Sequence, residues 1–175
     1  MRTRWIAVAA LALLAGVTAT AQVTKQEMAG INNFSRVDAT VGCGGATAPE
    51  AMAGLKREGF AAVINLRQAS EPGADVEAGK AAAEAAGLTY IHLPFNGGSP
   101  DPAVADAFLA AVSAPANQPV YVHCASANRV GALWMIKRVL QDGWAIERAR
   151  TEAQAIGLAS ARLDEFAVTY INAHR

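Results

Sequence analysis

The run VYVHCASANRVGALWMIKRVL at 120–140 constrains this chain more than any other. A short apolar strand passes straight into a cysteine, a tight polar loop and an arginine that opens a helix. Past the arginine, Val130, Leu133, Trp134 and Lys137 fall one turn apart, and the periodicity predicts a helix over 130–141. Backbone N–H groups at a helix start are unpaired and the macrodipole is positive there, so such a loop attracts an oxyanion and stabilises a thiol as thiolate. Cys124 reads as a nucleophile and Arg129 as a planar, two-pronged partner for phosphate or sulfate oxygens. Ala125, Ser126, Ala127 and Asn128 would form the substrate-binding cradle between them. A cation at the positive end of a helix also needs a resting anion, and Glu71 and Asp101 are the two carboxylates placed to supply it.

Elsewhere apolar runs alternate with helical patterns, the mark of a parallel sheet covered by helices. Strands are expected over 35–41, 61–66, 89–93 and 120–123. Helices are expected over 49–58, 75–86, 102–113, 130–141, 145–156 and 160–173. The fold class is therefore α/β, with a four-stranded, mainly parallel sheet flanked by helices in three layers. In open parallel sheets, ligands bind beyond the carboxyl ends of the strands. The segments leaving these four strands carry the glycine-flanked Cys43, Arg67 with Glu71, Asn96 with Asp101, and the run from Cys124 to Arg129.

Residues 1–21 join two arginines to a short apolar run ending in Ala-Thr-Ala, and are expected to be a secretory signal peptide cleaved before Gln22. An uncleaved anchor is the alternative. Residues 22–175 make one domain, exported to the periplasm or beyond, with no stable membrane insertion after cleavage. Without Arg2 and Arg4, the 15 basic residues fall to two fewer than the 15 acidic ones, which gives no reason to expect nucleic acid as a partner. No His/Cys/Asp/Glu spacing suggests a metal, and no cofactor is expected.

Several residues carry two readings. Asp101 is either the acid that protonates a leaving group or the N-cap of the helix that begins at Pro102. Arg67 either binds substrate or ties the loops together through acidic partners. His123 is a core or orienting histidine, or else a base. Cys43 and Cys124 form an even pair, which in an oxidising compartment can be a structural disulfide or a reversible one that switches off the nucleophile. His92 reads as structural, and Trp134 and Trp144 as helix-packing residues.

Three stretches, VINLR at 63–67, YIHLP at 90–94 and HCASANRVGALW at 123–134, carry a family resemblance across roughly 34–158. The chain resembles the bacterial beta-lactamase-hydrolase-like phosphatases, relatives of the cysteine-dependent protein tyrosine and dual-specificity phosphatases. The resemblance implies a phosphatase-like three-layer sandwich and a phosphocysteine route. In that route Cys124 attacks phosphorus, Arg129 holds the equatorial oxygens, an acid such as Asp101 protonates the leaving group, and water releases phosphate. The implied partner is a phosphorylated small molecule or peptide. This chain departs from the broad superfamily in three places. Four residues separate cysteine from arginine instead of five, a spacing also seen in rhodanese-like sulfurtransferases. Ala127 stands where glycine is usual, and Val130 replaces the usual hydroxyl residue. Two alternatives therefore accompany the phosphatase: a sulfurtransferase carrying a Cys124 persulfide, and a non-catalytic module that binds phosphate or another anion.

Overall fold

The alternation of apolar and helical runs resolves into one sheet with helices on both faces. The computed structural model describes residues 23–175, and the signal peptide expected over 1–21 lies outside the described residues. The strands are β1 (Thr24–Lys25), β2 (Ser35–Arg36), β3 (Val41–Gly44), β4 (Ala62–Asn65), β5 (Thr89–His92) and β6 (Val120–His123). They lie in the order β1-β2-β3-β6-β4-β5. The four expected strands make the parallel part, β3-β6-β4-β5. Two short antiparallel strands, β1 and β2, extend it at one edge. The helices are α1 (Met52–Arg57), α2 (Val76–Ala85), α3 (Pro102–Ser113), α4 (Asn128–Leu140), α5 (Ile146–Ile156) and α6 (Ala161–Ala173).

One expected strand is divided. The stretch 35–41 is a hairpin between β2 and β3, because one Asp38 carboxylate oxygen accepts from Thr40 N, Thr40 Oγ1 and Val41 N at 2.8, 2.8 and 3.0 Å. A side chain that closes its own turn competes with the strand ladder. The correction moves Cys43 out of a glycine-flanked turn and into the middle of β3. Its glycine neighbours have a packing reason: a Cβ on Gly42 would lie 2.5 Å from the Phe60 ring, and one on Gly44 2.1 Å from the Tyr121 hydroxyl.

The sheet's two faces carry separate cores. Val41, Cys43, Ala62, Ile64, Val120 and Val122 face α3, α4, α5 and α6. The alternate positions, Val63 and Tyr121, pack with Phe34 and Phe60 against α1 and α2, as a strand period of two requires. Helix α4 is the centre of the larger core, with Leu133, Trp134, Met135 and Ile136 fully buried. At about 1.5–3 kcal/mol for each fully buried large apolar side chain, that burial fixes α4 and the loop feeding it. Burial also explains Val130, which sits inside this core.

Candidate active site

Gly44, His123, Asn65 and His92 stand in one register row across β3, β6, β4 and β5. Each strand ends on this row, so the loops that leave it converge on one edge. Cys124 is the first residue past β6, and its N–H donates to Gly44 O at 3.3 Å. The cysteine is 1% exposed, at the floor of a loop whose outer residues, Ala125 and Ser126, are exposed. Ala127 is buried in left-handed geometry at φ 70°, ψ 2°, so an alanine does occupy the position where glycine would be unstrained. That conformation costs an L-residue about 1–2 kcal/mol. Helix α4 starts at Asn128, two residues earlier than periodicity indicated, which sets Arg129 in its first turn.

The loop's carbonyls are held by the rest of the chain. Ala125 O accepts from Ala46 N at 2.9 Å, and Ser126 O accepts from Asn33 Nδ2 at 3.3 Å. A peptide unit is planar, so its carbonyl and the following N–H point in opposite directions. Anchoring these two carbonyls turns the Ser126 and Ala127 amides to the other side. Among the described residues, the amides of 125–129 donate to no turn, loop or cap hydrogen bond, leaving them for an anion at the start of α4. Asn128 braces the far side, where its Oδ1 accepts from Ala159 N and Ser160 N at 3.1 and 3.2 Å.

Arg129 is 9% exposed and half committed. Its Nη1 donates to Phe95 O at 2.9 Å, Leu66 O at 3.2 Å and Glu71 Oε1 at 2.5 Å, and its Nη2 donates to Glu71 Oε2 at 2.8 Å. The Nε edge is taken by no oxygen among the described residues. Burial opposes the guanidinium charge, but Glu71 and Cys124 together hold the pKa above its ordinary value. Of the two resting carboxylates considered from sequence, the partner is Glu71. Burial works against its charge too, yet bonds from Arg129, Gln68 N and Arg67 outweigh it and hold the carboxyl at about 2.

Arg67 takes its loop-tying role. It is 7% exposed and donates to Pro72 O at 2.7 Å, Gly73 O at 2.9 Å and Glu71 Oε2 at 3.3 Å, while His92 Nε2 holds the Arg67 carbonyl at 2.7 Å. Its charge still serves the site, since two guanidinium groups against one carboxylate leave the base of the loop electropositive. Asp101 is exposed, and its Oδ1 caps α3 through Ala103 N at 2.9 Å. His123 is buried and stacked on Tyr121 with ring centroids 5.7 Å apart. Burial, reinforced by the Arg67 and Arg129 charges, pushes it down to about 3, too weakly basic to take a proton from Cys124. Both cysteines are free thiols, and burial pushes the Cys43 thiol up. Trp134 is a packing residue as expected, and its indole N–H donates to Glu152 at 2.7 Å inside a buried network with Arg138.

An open cleft of about 360 Å³ covers the loop, lined by Glu71, Gly97, Ser126, Asn128, Arg129 and Leu163 among others. The cleft gathers Ser126 and Asn128 of the cysteine loop with Arg129 and Glu71, and neither Arg67 nor Asp101 lines it. Sequence reasoning missed Asn33 and Asn65. Asn65 Oδ1 accepts from Arg67 N at 2.8 Å, and its Nδ2 donates to the Tyr90 hydroxyl at 2.8 Å. An asparagine ending a buried strand was the available signal, because a polar group there requires partners.

Comparison with known proteins bears on this geometry. The family described as "Beta-lactamase hydrolase-like protein, phosphatase-like domain" matches residues 33–141. Beta-lactamase hydrolase-like proteins from two strains of Xylella fastidiosa, Temecula1 and 9a5c, are 37% identical over 107 residues, covering 59% of this chain and 23% of theirs. The chain thus spans about a quarter of the length of the curated relatives it matches. Among solved structures, a DUF442 protein of Shewanella putrefaciens CN-32 superposes with TM-score 0.70 at 22% identity, over 83% of this chain and 93% of its own. TpbA of P. aeruginosa superposes with TM-score 0.68 at 21% identity, over 90% and 92%, and has also been solved in complex with pTyr. The core catalytic domain of a PP-IP phosphatase of S. cerevisiae, in complex with citrate, gives TM-score 0.68 at 22% identity, over 82% and 88%. These likenesses confirm the mixed α/β fold expected from the sequence.

Proposed function

This chain belongs to the phosphatase-like domain family of the beta-lactamase hydrolase-like proteins, and we propose that it is an exported cysteine-dependent phosphatase acting on a phosphomonoester, with aryl phosphates such as phosphotyrosine in its range. The observation that carries this reading is Arg129: Glu71 and two carbonyls hold its two Nη atoms, no oxygen among the described residues takes its Nε, and the guanidinium lies beside the Cys124 side chain. An anion bound there meets a fixed fork and unpaired amides without first breaking the Glu71 pair.

In the proposed reaction the Cys124 thiolate attacks phosphorus in line. An S–P bond forms, the P–O ester bond breaks, and the leaving oxygen keeps the bonding pair and takes a proton. Asp101 is the proposed donor, and it would have to leave Ala103 N to act. Water then attacks phosphorus and gives its proton to the Asp101 carboxylate left by the first step, an O–P bond forms, the S–P bond breaks, and the sulfur departs as thiolate. Arg129 and the loop amides hold the three equatorial oxygens in both steps.

Reduced protein lacking residues 1–21 is assayed on an aryl phosphate beside Cys124→Ser, Arg129→Ala and Asp101→Asn. Turnover should fall on the order of 10³-fold in the first two. Asp101→Asn should lose more rate on poor leaving groups than on good ones. The four-residue spacing from Cys124 to Arg129 favours a second reading, sulfur transfer through a Cys124 persulfide. Transfer from thiosulfate to cyanide without phosphate release would establish that reading and refute the first. Export is checked by fractionating cells that express the full chain.

A further inference from the structure

We propose that Asn33 is a positioning residue of the cysteine loop: its side-chain amide, reaching the loop from 93 residues away, fixes the peptide that aims the Ala127 N–H at the bound oxyanion. The inference rests on the anion-binding role given to the loop. Asn33 lies outside the loop, on the segment joining β1 to β2.

Asn33 Nδ2 donates to Ser126 O at 3.3 Å and to Ile156 O, at the end of α5, at 3.1 Å. Its Oδ1 accepts from Lys25 Nζ, which also donates to Ile156 O at 2.8 Å. The orientation of the amide is fixed by these partners, since carbonyls can only accept and an ammonium can only donate. Asn33 itself is left-handed, φ 54°, a conformation asparagine tolerates better than other side-chain-bearing residues. Residue and conformation therefore serve one contact.

That contact falls where the loop is strained. The Ser126–Ala127 peptide leads into the left-handed Ala127, and without an anchor the strain is relieved by rotating this peptide. Rotation would swing the Ser126 carbonyl toward the anion and the Ala127 N–H away from it, replacing a donor with an acceptor. Two devices oppose it. Asn33 pulls the carbonyl outward, and Gly157, at φ 153°, leaves room for the arrangement. A Cβ on Gly157 would lie 3.0 Å from Ala127 Cβ and 3.2 Å from both Asn33 Nδ2 and Ser126 O. Asn33, Ser126, Ala127 and Gly157 thus meet at one point of the loop, where Ala127 is buried and Asn33 and Ser126 are exposed. The neighbouring residue secures the next peptide: Asn32 O accepts from Gly45 N at 2.7 Å, Asn32 N donates to Ala46 O at 2.9 Å, and Ala46 N holds Ala125 O.

The test uses the reduced protein with inorganic phosphate as probe, titrated calorimetrically and as a competitive inhibitor of aryl phosphate turnover. Asn33→Gly keeps the backbone conformation and removes the donor. Asn33→Asp keeps size and the Lys25 contact but sets an oxygen against Ser126 O. Lys25→Met removes the ammonium's bonds to Asn33 Oδ1 and Ile156 O and keeps the two Nδ2 bonds to carbonyls, which by themselves require the N–H side of the amide to face Ser126 O. In both Asn33 variants phosphate affinity should fall about tenfold or more, the loss expected when a donor to a charged group is misaligned. KM should rise with it, while circular dichroism remains that of the parent. Lys25→Met should lower thermal stability and keep phosphate affinity within about twofold, well short of a lost charged hydrogen bond. Unchanged phosphate affinity in the Asn33 variants would overturn the proposal, as would an equal loss in Lys25→Met. Phosphate binding with no turnover, weakened by the Asn33 variants, would sustain it while refuting the phosphatase reading.

Discussion

Replacing Glu71 by glutamine would test how the site's charge is assembled. The carboxylate accepts two hydrogen bonds from Arg129, one from Gln68 N at 2.7 Å and one from Arg67. Glutamine has nearly the same shape, but its NH₂ group must face one of these donors. The carboxyl is held at about 2 against an ordinary 4.5, a difference worth about 3 kcal/mol by linkage. Its side chain is 19% exposed, so solvent screening brings the expected contribution nearer to ~2 kcal/mol. For a domain of this size that is a drop of about 4–8 °C in Tm.

The pH dependence has a definite sign. A carboxyl with a depressed folded-state pKa stabilises fully above its unfolded value of 4.5 and loses that contribution as pH falls through about 2. Urea unfolding followed by tryptophan fluorescence, at pH about 7, 5 and 3, should show the gap between parent and Glu71→Gln constant at the two higher values and narrowing at the lowest. Freed from its brace, Arg129 should also bind anion less well, raising KM for an aryl phosphate about tenfold, the scale of one charge-assisted hydrogen bond. A stability gap that is negligible, or that stays the same down to pH 3, would refute the account of Glu71 as the carboxylate that carries Arg129.

Three further outcomes follow from the packing. Ala127→Gly removes the left-handed penalty and adds chain entropy to the unfolded state, so calorimetry should find it neutral to about 1 kcal/mol stabilising, where alanine at an ordinary φ would give a loss. Glu152→Gln removes one of three carboxylates that hold Arg138, leaving Asp142 at 2.9 Å and Asp38 at 3.1 Å where Glu152 now contacts it at 2.6 Å; equilibrium unfolding should register a loss of about 2 kcal/mol, the scale of a hydrogen bond to a charged group. Cys43, fully buried in β3 with its thiol pushed up, should resist iodoacetamide in the native state and react once urea unfolds the chain, and mass spectrometry of the folded, reduced protein would contradict this by finding Cys43 modified.

What could be read from the sequence was whatever is local. The strand 120–123, the cysteine loop and the helix behind it follow from adjacent residues and their periodicity, and the four parallel strands from apolar runs punctuated by turns. Helix α3 was legible for the same reason, since Asp101-Pro102 is both a cap and a first-turn proline. The hairpin at Asp38 was not, because Val37, Ala39 and Val41 alternate with polar residues as one strand would, and only the Asp38 side chain closing on Thr40 and Val41 breaks it. The supports of the site are long-range. Glu71 reaches Arg129 across 58 residues, Phe95 across 34 and Asn33 reaches Ser126 across 93. Glu71 is legible in the sequence because a cation at a helix N-terminus needs an anion, an electrostatic demand independent of distance in sequence. Asn33 is not, because a carbonyl's need for a donor leaves no mark on the residues near it. This asymmetry bears on where substitutions at the site should act. The local elements supply the reacting groups, while the distant ones set which way a strained peptide faces. A change at Asn33 or Gly157 should therefore weaken anion binding while Cys124 and Arg129 stay in place, and a change at Val130 or Trp134, inside the core, should lower stability before it alters the geometry of the loop.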